Sequence, residues 1–135
     1  MELEIYQIDA FTSEVFRGNP ACVVPLNEWL DDKLLIKIAR ENNVSETAFF
    51  VKNNNGFDIR WFTPDIEMDL CGHATLASAY CLKQYLSYPD DEILFNSKSG
   101  TIKSKFVNDK IELKLPLWEP KKVEIPQNLS NAINY

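Results

Sequence analysis

Two short segments, Ser45-Glu46-Thr47-Ala48-Phe49 and Asp69-Leu70-Cys71-Gly72-His73-Ala74-Thr75, hold a carboxylate, a thiol and the only histidine of the chain. An acid set among apolar strand residues and a histidine at a helix start are what proton transfer on a small molecule requires. Alternation puts Glu46 on the same strand face as Ala48 and Phe50. If that face is buried, a desolvated carboxyl there both accepts and returns a proton near neutral pH. The competing reading is a carboxylate that caps a turn or lies at an exposed strand edge. His73 follows Gly72 at a helix start, where free N–H groups and the helix dipole favour an anion such as a substrate carboxylate or enolate oxygen. A glycine just before it lets a ligand come close to the backbone. The plain alternative for His73 is a set of local hydrogen bonds. Cys71 occupies the same turn, where the helix start should lower its thiol pKa and favour the thiolate of a proton carrier or nucleophile. The pattern by itself favours an ordinary buried cysteine. Cys22 and Cys81 fall in apolar runs and read as core. Cys71, His73 and Cys81 lack the paired ligand spacing of zinc motifs, so no metal is expected.

The rest of the chain bounds what this chemistry could belong to. With 135 residues, 45% of them hydrophobic, it can build one ordinary core. Fourteen Lys and Arg against 20 Asp and Glu leave a formal charge of -6, with no basic run to neutralise a phosphate backbone, so nucleic acid is not an expected partner. The start, Met1-Glu2-Leu3-Glu4, has neither a basic leader nor a long apolar stretch, and no run of about 18 apolar residues suggests a membrane span. A soluble, cytoplasmic protein is expected. Three cysteines at no framework spacing suit a reducing compartment.

Strands and helices alternate along the chain. Glu4 to Phe11 is β-prone, and Gly18-Asn19-Pro20 is a turn feeding Ala21-Cys22-Val23-Val24, with which it should pair. Asp31 or Asp32 caps a helix carrying Leu34, Leu35, Ile38 and Ala39, which Asn42-Asn43 stops. Ala48 to Val51 and Phe57 to Phe62 flank Asn53-Asn54-Asn55-Gly56, a hairpin signal because Asn and Gly tolerate positive φ. The segment Ala74 to Leu82 is apolar nearly all round and rich in small residues, which predicts an enclosed helix that lets strands curl closely around it. Strands follow at Glu92 to Phe95, Thr101 to Val107 and Lys110 to Leu115, the last two joined at Asn108-Asp109. Pro116, Pro120 and Pro126 punctuate a linker, and Gln127 to Tyr135 reads as a helix beginning. The fold class expected is α+β: a curved mixed or antiparallel sheet wrapped around a central helix, over residues 1–118, with residues 119–135 as linker and helix start.

Five stretches in order, Ile8-Asp9-Ala10-Phe11, Phe16-Arg17-Gly18-Asn19-Pro20-Ala21, Ser45 to Phe49, Arg60-Trp61-Phe62-Thr63-Pro64 and Cys71 to Thr75, resemble the phenazine-biosynthesis PhzF-like family. The resemblance spans roughly residues 5 to 118 and implies the diaminopimelate epimerase-like fold, in which each of two similar domains wraps a sheet around a helix. It further implies cofactor-free isomerisation of a small carboxylate-bearing molecule, with Glu46 as the proton shuttle and Gly72 and His73 as substrate-binding residues. In the family's characterised isomerase the matching glutamate moves a proton on a dihydro-hydroxyanthranilate ring, but that substrate is not carried over. A cysteine at the position of Cys71 serves as a base in related epimerases and racemases, which leaves a Cys71-based epimerase as one alternative and a binding or dimerising half-domain as another. The resemblance also implies a homodimer of the full-length protein and an active-site cleft between two domains. An aspartate and a serine of the second domain have no counterpart in this chain, so residues 1–135 are expected to be the N-terminal half of a longer enzyme, or a half-length relative whose cleft forms only by association, and alone to hold half of the site.

Overall fold

The computed structural model describes residues 1–132. Chain order is β1 (Tyr6–Ala10), β2 (Asn19–Leu26), α1 (Asp32–Asn42), β3 (Glu46–Asn53), β4 (Gly56–Phe62), β5 (Glu67–Met68), α2 (Gly72–Gln84), β6 (Glu92–Ser97), β7 (Gly100–Val107), β8 (Lys110–Lys114) and α3 (Gln127–Ala132). The strands form one sheet in the order β1-β2-β3-β4-β6-β7-β8, with β5 added beside β4. β2 with β3 and β4 with β6 run parallel, and the remaining neighbours are antiparallel. Helix α2 packs on β1, β2 and β3 from one end of this path and on β8 from the other. The sheet therefore curls around α2, as its sequence implied.

That curl follows from the side chains of α2. Ala74, Ala77, Ala79 and Cys81 are buried together with Thr75 and Ser78, and such small groups let strand backbone approach from several sides. The two buried hydroxyls do not interrupt the helix, because Thr75 Oγ1 donates to the Cys71 carbonyl (2.6 Å) and Ser78 Oγ to that of Ala74 (2.8 Å). Facing α2 are Ala21, Val23, Ala48, Phe50, Phe57, Ile59, Trp61, Ile93, Phe95 and Ile102. The opposite face of the same strands sends Val24, Leu26, Phe49 and Phe62 against Leu35 and Ala39 of α1. Strands β2 and β3 are thus covered on both sides, which is why they read as unbroken apolar runs.

Local chemistry sets the ends of the elements. Asp31 caps α1 by accepting from the Lys33 N–H (3.0 Å), and Asn43 closes it in the left-handed region at φ 51°. Strand β1 stops short of the predicted Phe11, because Phe11 itself takes φ 66°. β2 runs further than predicted at both ends. Its Pro25 lies beyond Val23, the last residue paired with β1, so the proline sits where β2 has become an edge. The β3–β4 hairpin forms at the predicted place by a different device. Positive φ falls on Gly56 alone (149°) and on neither Asn54 nor Asn55, while the Asn53 side chain accepts from the Asn55 N–H at 2.8 Å. A Cβ at Gly56 would stand 2.3 Å from the Leu94 carbonyl oxygen, so glycine is also what lets β6 approach β4. At Asn108-Asp109 both residues take positive φ, as a tight hairpin turn requires. Residues 115–126 carry no helix or strand. The C-terminal helix begins at the predicted Gln127, and the last three residues of that prediction lie outside the described ones.

Strand β5 was invisible in the sequence because two residues show no period. Arg60 holds it in place. The guanidinium bonds both Glu67 oxygens (2.7 and 2.9 Å) and Asp32 (2.9 Å), lies over the Trp29 and Phe62 rings, and shares Glu67 with Lys98 (2.6 Å). Arg60, and after it Lys98, hold the Glu67 carboxyl down at about 2 against an ordinary 4.5. A carboxyl depressed in the folded state stabilises it above the unfolded value and loses that contribution as pH falls through the folded one. Glu67→Gln is expected to cost about 2 kcal/mol at pH 7, measured by urea unfolding. Its deficit from wild type should shrink as pH falls from 4.5 towards about 2. A deficit that stays constant over that range would show that the ion pair contributes nothing.

Candidate active site

The register of the sheet decides where Glu46 points. β3 begins at Glu46, opposite Ala21 of β2, and Glu46 shares the inner face with Ala48 and Phe50, towards α2. Its side chain is 18% exposed, so it is neither a turn cap nor a free edge residue. The other half of the site comes from the start of α2. Ser99 Oγ bonds the Asp69 carbonyl (2.9 Å) ahead of this turn, and Cys71 stands at the N-cap position without a capping side-chain bond. The first N–H groups of α2 are therefore left to an outside acceptor.

His73 is nine-tenths buried, and its ring lies between the other two groups. Nε2 is 3.3 Å from Glu46 Oε2, and Nδ1 is 3.4 Å from Cys71 Sγ. The two segments separated by more than twenty residues in the chain thus meet at one imidazole. Although 3.3 Å apart, Glu46 Oε2 and His73 Nε2 are not aligned as a hydrogen bond, and each is buried without such a partner. Two unpaired polar atoms so placed are costly in a folded protein. Gly72 contributes open space: a Cβ built there meets nothing within 4 Å. Its backbone does not take a positive φ, so the fold alone does not demand glycine.

At Cys71 the buried-cysteine reading holds over the thiolate one. Burial pushes its thiol up to about 11, and the Glu46 charge adds to the rise. The N–H groups of Ala74 and His73 do pull towards the thiolate, as a helix start should, but they are outweighed. The cysteine is a neutral thiol at physiological pH. Cys22 and Cys81 are buried as predicted, with their thiols raised by burial. Cys81 takes no part in the site. Instead, Glu46, Cys71 and His73 offer three metal-ligand atoms within 4.8 Å of one another, a set that spacing along the chain does not show. The sulfur and the carboxylate approach opposite nitrogens of the ring, however, and one ion takes only one of them.

One residue beside the site carries only a turn signal in the sequence. Asn19 opens β2 on the same face as Ala21, two positions before the partner of Glu46, and so stands at the lip of this wall. The alternation Asn19, Ala21, Val23 carries that signal. Among the described residues no helix is long and apolar enough to cross a membrane.

A mixed sheet curled around one helix, with a carboxylate and an imidazole meeting at the helix start, defines a half-barrel of the epimerase-like class. The sequence matches the PhzC-PhzF family of phenazine biosynthesis-like proteins over residues 8–132, and the chain belongs to that family. It is 44% identical over 133 residues to a Pseudomonas aeruginosa protein named an uncharacterized isomerase, covering 98% of this chain and 51% of that protein. The crystal structure of a PhzF-family protein from Enterococcus faecalis superposes with a TM-score of 0.84 at 42% identity, over 98% of this chain and 51% of that one. A predicted epimerase from Pseudomonas aeruginosa shares the fold at a TM-score of 0.68 and 23% identity, over 82% of this chain and 41% of that one. The chain spans about half the length of the curated relatives it matches.

Proposed function

We propose that this chain supplies the acid–base wall of a cofactor-independent isomerase, which moves a proton on a small carboxylate-bearing molecule. The observation that carries the reading is the pair of buried, unpaired atoms Glu46 Oε2 and His73 Nε2 beside the open N-terminus of α2. The free N–H groups of α2 receive the substrate's anionic group, and Gly72 leaves room for it to come close. Glu46 takes a proton from one substrate carbon and returns it to another, while His73 Nε2 holds the oxygen on which charge develops. One C–H bond breaks and one forms, so the substrate is neither oxidised nor reduced and needs no redox partner. The name borne by the Pseudomonas aeruginosa relative agrees with an isomerase. The relatives' further length corresponds to a facing wall, and the isolated 135-residue chain is accordingly expected to turn over little or no substrate.

The test is solvent exchange. Full-length protein in D2O, screened by NMR against small unsaturated and hydroxylated carboxylic acids, should wash deuterium into at least one of them at a carbon-bound position. Residues 1–135 alone should do so at least about a hundredfold more slowly, as expected when the groups orienting the substrate are missing. Equal exchange by the short chain, lost in Glu46→Gln, would overturn the half-site reading. A Cys71-based epimerase is disfavoured by the neutral thiol. Exchange that dies in Cys71→Ser but survives in Glu46→Gln would restore it, and full-length protein that binds such acids without any exchange would instead identify a binding module.

A further inference from the structure

We propose that Cys71 is a positioning residue for His73: its thiol donates to Nδ1 and fixes the imidazole as the tautomer that carries its proton on Nε2. The inference rests on the reading of His73 as a working group of a proton-transfer site, and it adds which proton that group presents. A neutral imidazole holds one proton, which either nitrogen can carry, and the hydrogen bond at one nitrogen decides the state of the other. Here the two nitrogens face different partners, Cys71 Sγ at 3.4 Å from Nδ1 and Glu46 Oε2 at 3.3 Å from Nε2.

No backbone N–H of the helix start bonds that sulfur at the N-cap, and the side-chain polar atom it meets is His73 Nδ1. The thiol hydrogen is left with Nδ1 as the available acceptor. Burial keeps that hydrogen on the sulfur. In the opposite tautomer an N–H at Nδ1 would confront the S–H, and the bare Nε2 would face a carboxylate oxygen, acceptor against acceptor. Both mismatches fall on a ring that is nine-tenths buried, where unmatched polar contacts are costly. With Nε2–H, the S–H meets a bare Nδ1, and the Nε2 proton lies on the side of the carboxylate, 3.3 Å away but not aligned to it as a hydrogen bond, so that it stays available to a substrate oxygen. The metal-like grouping of the three side chains then has a different explanation: a thiol–imidazole–carboxylate row with the ring in the middle.

The histidine count makes the test direct, since His73 is the only one in the chain. The 135-residue protein labelled with 15N-histidine, in two-bond proton–nitrogen spectra at about pH 8.5, above the ordinary histidine range, reports the tautomer of a single ring with no substrate present. Wild type should show Nε2–H in at least about tenfold excess, the ratio one buried hydrogen bond can impose. Cys71→Ser, which keeps a donor, should retain that excess. Cys71→Ala should lose most of it. A wild-type ring protonated on Nδ1, or an alanine variant with unchanged tautomer populations, would overturn the proposal. If the alanine variant does not fold, the wild-type and serine spectra decide alone. Failure of these spectra leaves the exchange activity of Glu46 untouched, so the two readings fail separately.

Discussion

Glu46→Gln in the full-length protein is expected to lower the rate of substrate proton exchange by about 10²–10⁴-fold, the usual contribution of a positioned general base. The amide keeps the size and one oxygen of the side chain, so the wall beside His73 keeps its shape. What the variant removes is the ability to take up a proton. The loss should therefore fall on the exchange step, read as deuterium incorporation, with substrate affinity changed much less. Retention of wild-type exchange would remove Glu46 from the mechanism. A loss of binding of the same size as the loss of exchange would instead make it a substrate-holding group.

The second large effect concerns stability. Trp61 is fully buried on the inner face of β4, paired with Ala48 of β3 and Met68 of β5, directly beside the strand that begins at Glu46. Trp61→Ala is expected to destabilise the fold by about 3–5 kcal/mol, since it removes the largest side chain of the core and leaves a void between sheet and helix. Trp61→Phe should cost clearly less. Its ring fills most of the same space, and the indole Nε1–H that it deletes is buried with no hydrogen-bond partner. Urea unfolding monitored by far-ultraviolet circular dichroism separates the two. Equal losses in both variants would mean that Nε1–H has a partner in solution and that packing volume is not the dominant contribution.

Much of this architecture is legible in residue patterns. The unbroken apolar runs at Ala21 to Val24 and Ala48 to Val51 report strands covered on both faces, and the small residues from Ala74 to Cys81 report an enclosed helix. Alternation from Glu46 through Ala48 to Phe50 places the acid on the inner face before any contact is known. What escaped is short or long-range. Strand β5 is two residues and has no period, and Arg60, which binds it to β4 and α1, looks in the sequence like any charged residue on a polar strand face. At the β3–β4 turn the residue types mark the hairpin without showing its device, because an Asx turn at Asn53 with one positive φ at Gly56 serves as well as two positive φ values.

For Glu46, Cys71 and His73 themselves, the sequence alone determined the local setting: an acid on an inward strand face, and a cysteine, glycine and histidine opening a helix. Their electrostatics belonged to the tertiary structure. A helix start by itself favours the thiolate of Cys71, and the backbone N–H groups do pull that way, but burial under the curled sheet and the nearby Glu46 charge reverse the outcome. Local sequence shows the amides and not the dielectric that surrounds them. The same curl sets the imidazole between sulfur and carboxylate, one on each nitrogen. Spacing along a chain cannot show that, because it is made by β3 and α2 meeting across the core.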